Sequence, residues 1–82
     1  MAKVNVSILD MEQEVFRGEC DIAIFPGTEG QLAVLPGHTR FVTPLKKGSI
    51  VLKNDGSEET FELEKGFLYV DKENVKVLVQ SV

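Results

Sequence analysis

The 82-residue chain has no tryptophan, one tyrosine, one histidine and one cysteine. A single cysteine, Cys20, closes no internal disulfide, so the fold does not depend on an oxidising compartment, and a reducing, cytoplasm-like setting is expected. A single histidine, His38, excludes sites built from several imidazoles, and no serine or cysteine stands near it in sequence to form a nucleophile–base pair. Basic residues are outnumbered, 9 Lys and Arg against 13 Asp and Glu, giving a net charge of −4. That balance removes the electrostatic footprint expected of a nucleic-acid binder, and no basic amphipathic stretch suits an anionic membrane surface. No apolar run approaches the roughly 18 residues of a membrane span. The N-terminus alternates polar and apolar residues too early for a signal peptide. Gly27-x-x-Gly30 lacks the Gly-Lys-Ser/Thr ending and the following helix of a phosphate loop, and Lys46-Lys47-Gly48-Ser49 carries similar letters in the wrong order.

What is present is short alternating strands separated by turns. Apolar residues make up 43% of the chain and charged residues 27%, the balance of a globular domain rather than a disordered segment. Residues 1–82 are read as a single domain, within the size range of roughly 50–250 residues. Val4, Val6 and Ile8 alternate with Lys3, Asn5 and Ser7, which predicts a half-buried strand. Glu14–Phe16 reads as a short strand turning at Arg17-Gly18, and Glu19–Phe25 as another, stopped by Pro26-Gly27. The run Gly27 to His38 is the organising stretch: Leu32–Leu35 reads as a buried strand between a Gly27–Gly30 turn and a Pro36-Gly37 turn, with the glycines supplying positive φ. Pro44 demotes the following strand to an edge or a bulged one. Asn54-Asp55-Gly56 is a hairpin signal. Phe61 and Leu63 are expected to point inward. The result is about nine short strands with no helical period: an all-β antiparallel sandwich or barrel whose neighbours are joined by hairpins.

Few residues suggest chemistry. His38 on an exposed turn fits a binding contact better than a proton-transfer role. Cys20 reads as a small buried hydrophobe. Of the carboxylates Glu58, Glu59, Glu62 and Glu64, alternation puts Glu58, Glu62 and Glu64 on one outward face, read as a solvated face that protects a strand edge from pairing. The exception is the pair of runs Phe67-Leu68-Tyr69-Val70 and Val75-Lys76-Val77-Leu78-Val79, which are apolar on both faces. One sandwich core uses only one face of a strand, so the other is expected to meet a partner. Leu68, Tyr69, Val77 and Leu78 are the candidate docking residues, and alternation sets Leu68 with Val70 opposite Phe67 and Tyr69.

The stretch from Gly27 through His38, followed by Leu45-Lys46-Lys47-Gly48, resembles the signature of the epsilon subunit of F-type ATP synthases. Phe16-Arg17-Gly18 is similar to the family's F-x-G. Gly66-Phe67-Leu68-Tyr69-Val70 is similar to its G-G-x-x-x-V, with Lys65 at the first glycine. The likeness spans nearly the whole chain in order. It implies a flattened antiparallel β-sandwich of about ten strands in two sheets. It also implies a non-catalytic subunit of the rotating central stalk, docked on the gamma subunit and resting on the c-ring, peripheral to the membrane on its cytoplasmic, stromal or matrix side. Glu29, Gln31 and His38 are expected near one end of the sandwich against the c-ring loops. Asp10, Arg40 and Val42 complete the partner-binding set, Arg40 standing where members often carry an apolar run. The family's helical hairpin would begin near Val82. A short form without it is expected, lacking hairpin inhibition and the ATP site on that hairpin. No cofactor, metal, small-molecule ligand, nucleic acid or direct membrane insertion is expected. The alternative is a free-standing β-sandwich module that binds a ligand or another protein.

Overall fold

The computed structural model describes residues 3–11, 13–72 and 74–80, with the side chains of His38 and Thr39 outside the description. Nine strands follow one another: β1 (Val4–Asp10), β2 (Gln13–Cys20), β3 (Ile22–Gly27), β4 (Gly30–Val34), β5 (His38–Leu45), β6 (Gly48–Asn54), β7 (Ser57–Leu63), β8 (Lys65–Lys72) and β9 (Asn74–Gln80). They pair in the order β2-β1-β9-β8-β5-β3-β6-β7, with β4 added on β3. The β5–β3 junction is one residue pair, Gly27 with Leu45, reinforced by the Lys46 amide donating to the Pro26 carbonyl at 2.9 Å. The path therefore bends there into two layers, β2-β1-β9-β8-β5 and β4-β3-β6-β7. The layers close again at the far side, where the rings of Phe16 on β2 and Phe61 on β7 sit 5.4 Å apart.

Alternation decides what lies between the layers. Val4, Val6 and Ile8, Ala23 and Phe25, Ile50 and Leu52, Leu68 and Val70, and Val75 and Val77 are all buried. Each large side chain removed from water in this way stabilises the fold by about 1.5–3 kcal/mol. Cys20 joins this core, its thiol pKa pushed up chiefly by burial. The β6–β7 turn is the expected hairpin: Asn54 pairs with Ser57, and Asp55 and Gly56 take φ of 51° and 82°, the pair of positive values that a tight primed turn requires.

Several expectations are corrected. Arg17-Gly18 is not a turn, because β2 runs unbroken to Cys20. Glu19–Phe25 is not one strand, since β2 ends at Cys20 and β3 begins at Ile22, while Pro26-Gly27 does close β3 as its last two residues. Gly27 owes its identity to close approach rather than positive φ: a Cβ there would sit 2.6 Å from the Gly30 carbonyl oxygen. Leu32–Leu35 is not a buried strand, since only Val34 is buried and Leu35 is 48% exposed. Nor are all neighbours antiparallel: β1 and β9 pair in parallel, an arrangement open to them because they are the first and last described strands along the chain and no hairpin joins them. Pro44 lies in a strand bulged between His38 and Phe41 whose second side pairs only at Leu45.

Candidate docking face and the two ends of the sheet

The outer face of the β5-β8-β9-β1 layer is built in rows that follow from register. Pro44 pairs with Phe67, Phe67 with Leu78, and Leu78 with Leu9. Strand alternation turns all four to the same side, opposite buried Leu68 and Val77. They make one apolar stripe across four strands. Phe67 is 51% exposed and Leu78 37%. The next row adds Val42, 62% exposed, beside Tyr69, and then turns polar at Lys76 and Ser7. The row beyond is polar throughout: Arg40 Nε donates to Asp71 Oδ1 at 3.0 Å, and Asn5 and Asn74 stand alongside. On the other flank, Met11 at the β1–β2 turn, Lys65 and Gln80 enclose the end of the stripe in an open groove of about 690 Å³.

The candidate residues are thus sorted. Val42, Tyr69 and Leu78 belong to the exposed stripe. Leu68 and Val77 do not, because both point into the core at 0% exposure and no partner reaches them. Phe67, Pro44, Leu9 and Met11 are stripe residues that the set of candidates omits, although the alternation of Phe67 with Tyr69 signals the first of them.

Glu29 and His38 are not brought together. Glu29 sits in the turn beside Gly27, at the Leu45 and Gly66 end of the sheet. The His38 backbone pairs with Lys72 at the opposite end. Extended β4 lies between them and advances about 3.3 Å per residue, so one end cannot hold both. Gln31 and Asp10 share the Glu29 end, and Arg40 shares the His38 end. The His38 side chain lies outside the described residues. Among the described residues, no group of three or more His, Cys, Asp or Glu is placed to hold a metal ion, and no helix is long and apolar enough to cross a membrane.

A two-layer β fold with one apolar outer stripe framed by polar rows defines an interaction module on a β-sandwich scaffold. The chain belongs to the ATP synthase delta/epsilon chain β-sandwich domain family, whose model matches residues 3–82. It is 35% identical over 80 residues to the ATP synthase epsilon chain of Caulobacter vibrioides, covering 98% of this chain and 93% of that one. It is 38% identical over 78 residues to the epsilon chain of Synechococcus sp. WH7803, covering 95% of this chain but 57% of the relative. For the Dehalococcoides mccartyi (strain BAV1) epsilon chain the identity is 37% over 81 residues, covering 99% and 58%. The chain therefore spans little more than half the length of the latter two relatives. Its fold matches a chain in the Euglena gracilis mitochondrial ATP synthase structure, which contains OSCP, F1 and c-ring, with a TM-score of 0.89 at 18% identity, covering 96% of this chain and 51% of that one. It also matches a chain in the central stalk and c-ring structure of the Tetrahymena thermophila mitochondrial ATP synthase, with a TM-score of 0.78 at 14% identity, covering 95% and 63%.

Proposed function

We propose that the chain works as a non-catalytic central-stalk subunit of an F-type ATP synthase, coupling the gamma subunit to the c-ring during ATP synthesis. It is an accessory subunit, peripheral to the energy-coupling membrane on the side that holds the catalytic head. The observation that carries this reading, beyond family membership, is the apolar stripe Pro44–Phe67–Leu78–Leu9 with Val42 and Tyr69 beside it. A β-sandwich core has no use for these side chains, and an exposed apolar stripe framed by polar rows suits a permanent protein partner. Burying it contributes about 25 cal/mol per Å² of apolar surface, less the cost of association. The stripe takes gamma, and the c-ring meets one end of the sheet.

The test is reconstitution with gamma and the c-ring, using single cysteines at Phe67, Glu29 and Arg40. Phe67→Cys is expected to crosslink to gamma. Only one of Glu29→Cys and Arg40→Cys is expected to crosslink to the ring, because the two lie at opposite ends. A chain that fails to co-purify with gamma removes the proposal.

A further inference from the structure

Among the described residues the curled sheet leaves four strands with an open side, and they differ in chemistry: β5, whose second side pairs only at Leu45, carries Arg40 and Pro44. β2 carries Glu14, Arg17 and Glu19, and β7 carries Glu58, Glu59 and Glu62. Charges of this kind discourage a further strand from pairing. β4, Gly-Gln-Leu-Ala-Val, carries no charge and no proline, and among the described residues it pairs with β3 alone.

Register shows which backbone groups its open side presents. Gly27 and Gly30 close the turn, and β3 and β4 then pair residue by residue through Ala23 and Val34. In an antiparallel ladder, mutually bonded pairs alternate with pairs whose amides and carbonyls point away. Pro26, opposite Gln31, has no N–H, and its carbonyl turns away from β4 to accept from the Lys46 amide. That fixes the phase: Gly30, Leu32 and Val34 bond to β3, while Gln31 and Ala33 turn their N–H and C=O outward. Beside them, Gln31, Leu32, Thr43 and Pro44 line an open depression of about 540 Å³ between β4 and β5.

We infer that the open edge of β4 is a strand-addition site, filled by an extended segment of an assembly partner that pairs antiparallel with Gln31–Ala33. This rests on the assembly reading above. The chemistry of the segment follows from the edge. Glu29, exposed and outside every described ion pair, lies at one end of β4, so the segment is free of acidic residues and carries Lys or Arg at its C-terminal end. Ala33 leaves room for a β-branched or aromatic neighbour. Leu35 calls for an apolar residue at the segment's N-terminal end. Main-chain bonds supply the attachment and these side chains the selectivity.

Hydrogen–deuterium exchange of the β4 amides, in the isolated chain and in the complex reconstituted with gamma and the c-ring, tests this. Exchange at Gln31 and Ala33 is expected to slow by roughly tenfold or more on assembly. Ala33→Pro removes an outward N–H without touching the bonds to β3. It is expected to keep the isolated fold, weaken assembly several-fold and abolish the added protection at Gln31. Ala33→Lys, which keeps the amide but adds a charge to the edge, serves if the proline variant does not fold and is expected to weaken assembly likewise. If Phe67→Cys crosslinks to gamma while the β4 amides stay unprotected, strand addition fails and the stalk reading stands. If neither occurs, both fail. Protection that already rises with concentration in the isolated chain, and does not increase on assembly, assigns the edge to a second copy and overturns the inference.

Discussion

Lys3 shows what a single side chain does in this fold. Its ammonium lies 2.7 Å from Asp21 Oδ1 and 3.3 Å from Asp55 Oδ1, and it also donates to the Asn54 side-chain oxygen. Asp21 in turn accepts from the Asp55 amide at 2.9 Å. The cluster ties the start of β1 to the β2–β3 corner and to the β6–β7 turn, bridging the two layers. The Asp55 amide first, and the Lys3 ammonium second, hold the Asp21 carboxyl below the ordinary carboxylate range. A depressed folded pKa means that the stabilisation is fully present above the unfolded value of about 3.9 and is lost as pH falls through the folded value. Asp21→Asn is therefore expected to lower the urea midpoint at neutral pH, and the gap from the parent should close as the pH is taken well below about 3.9. A gap that persists undiminished in acid shows that charge is not what Asp21 contributes. None of this cluster is legible in the sequence beyond Lys3 being the outward residue of an alternating strand. Its partners stand up to 52 residues away, and no local pattern announces a contact at that distance.

At the scale of elements, the sequence is readable where one chemical rule acts alone and misleading where two compete. Positions in β1 and β7 follow alternation and fall on the expected faces. β2 does not, because Gly18 is a turn signal in sequence but serves a different end in the fold. A Cβ on Gly18 would lie 2.9 Å from Cζ of Phe16. The glycine is bare so that the Phe16 ring can lie over it and reach Phe61 across the seam. Gly18→Val is expected to displace that ring and open the seam between β2 and β7, at about 1–3 kcal/mol, measured as a loss in denaturant midpoint. Combining it with Phe16→Leu should cost less than the sum of the two single changes, because the ring to be displaced is gone. Simple addition of the two effects removes the ring-over-glycine account. β4 is the other misreading. Leu32–Leu35 is apolar enough for a core strand, and only the pairing order, invisible in a single sequence, makes it an open edge.

Across the whole molecule, the sequence shows that β8 and β9 have two apolar faces but not which face is inside. The curl of the sheet decides it, placing Leu68 and Val77 at 0% exposure and leaving Phe67 and Tyr69 at 51% and 39%. Adjacent residues on one strand thus belong to different interfaces, and a pair of substitutions separates them. Leu68→Asp buries an unpaired carboxylate between the layers, where it must be protonated or drive the layers apart. It is expected to unfold the domain, at roughly the 4–5 kcal/mol that marks the upper end of single-residue effects. Phe67→Asp places the same group in solvent at the centre of the stripe, beside Pro44 and Leu78. Its effect on thermal unfolding is expected to stay within about 1 kcal/mol, because cross-strand pairs contribute about 0.2–1 kcal/mol. Its effect on gamma pull-down should be large, because assembly would bury the charge against an apolar surface without a counter-ion. Leu78→Asp, on the neighbouring strand of the same row, should behave as Phe67→Asp does. If Phe67→Asp and Leu78→Asp both retain gamma, the stripe is not the docking face. If either unfolds the domain as Leu68→Asp does, the division of β8 and β9 into an inner and an outer face is wrong.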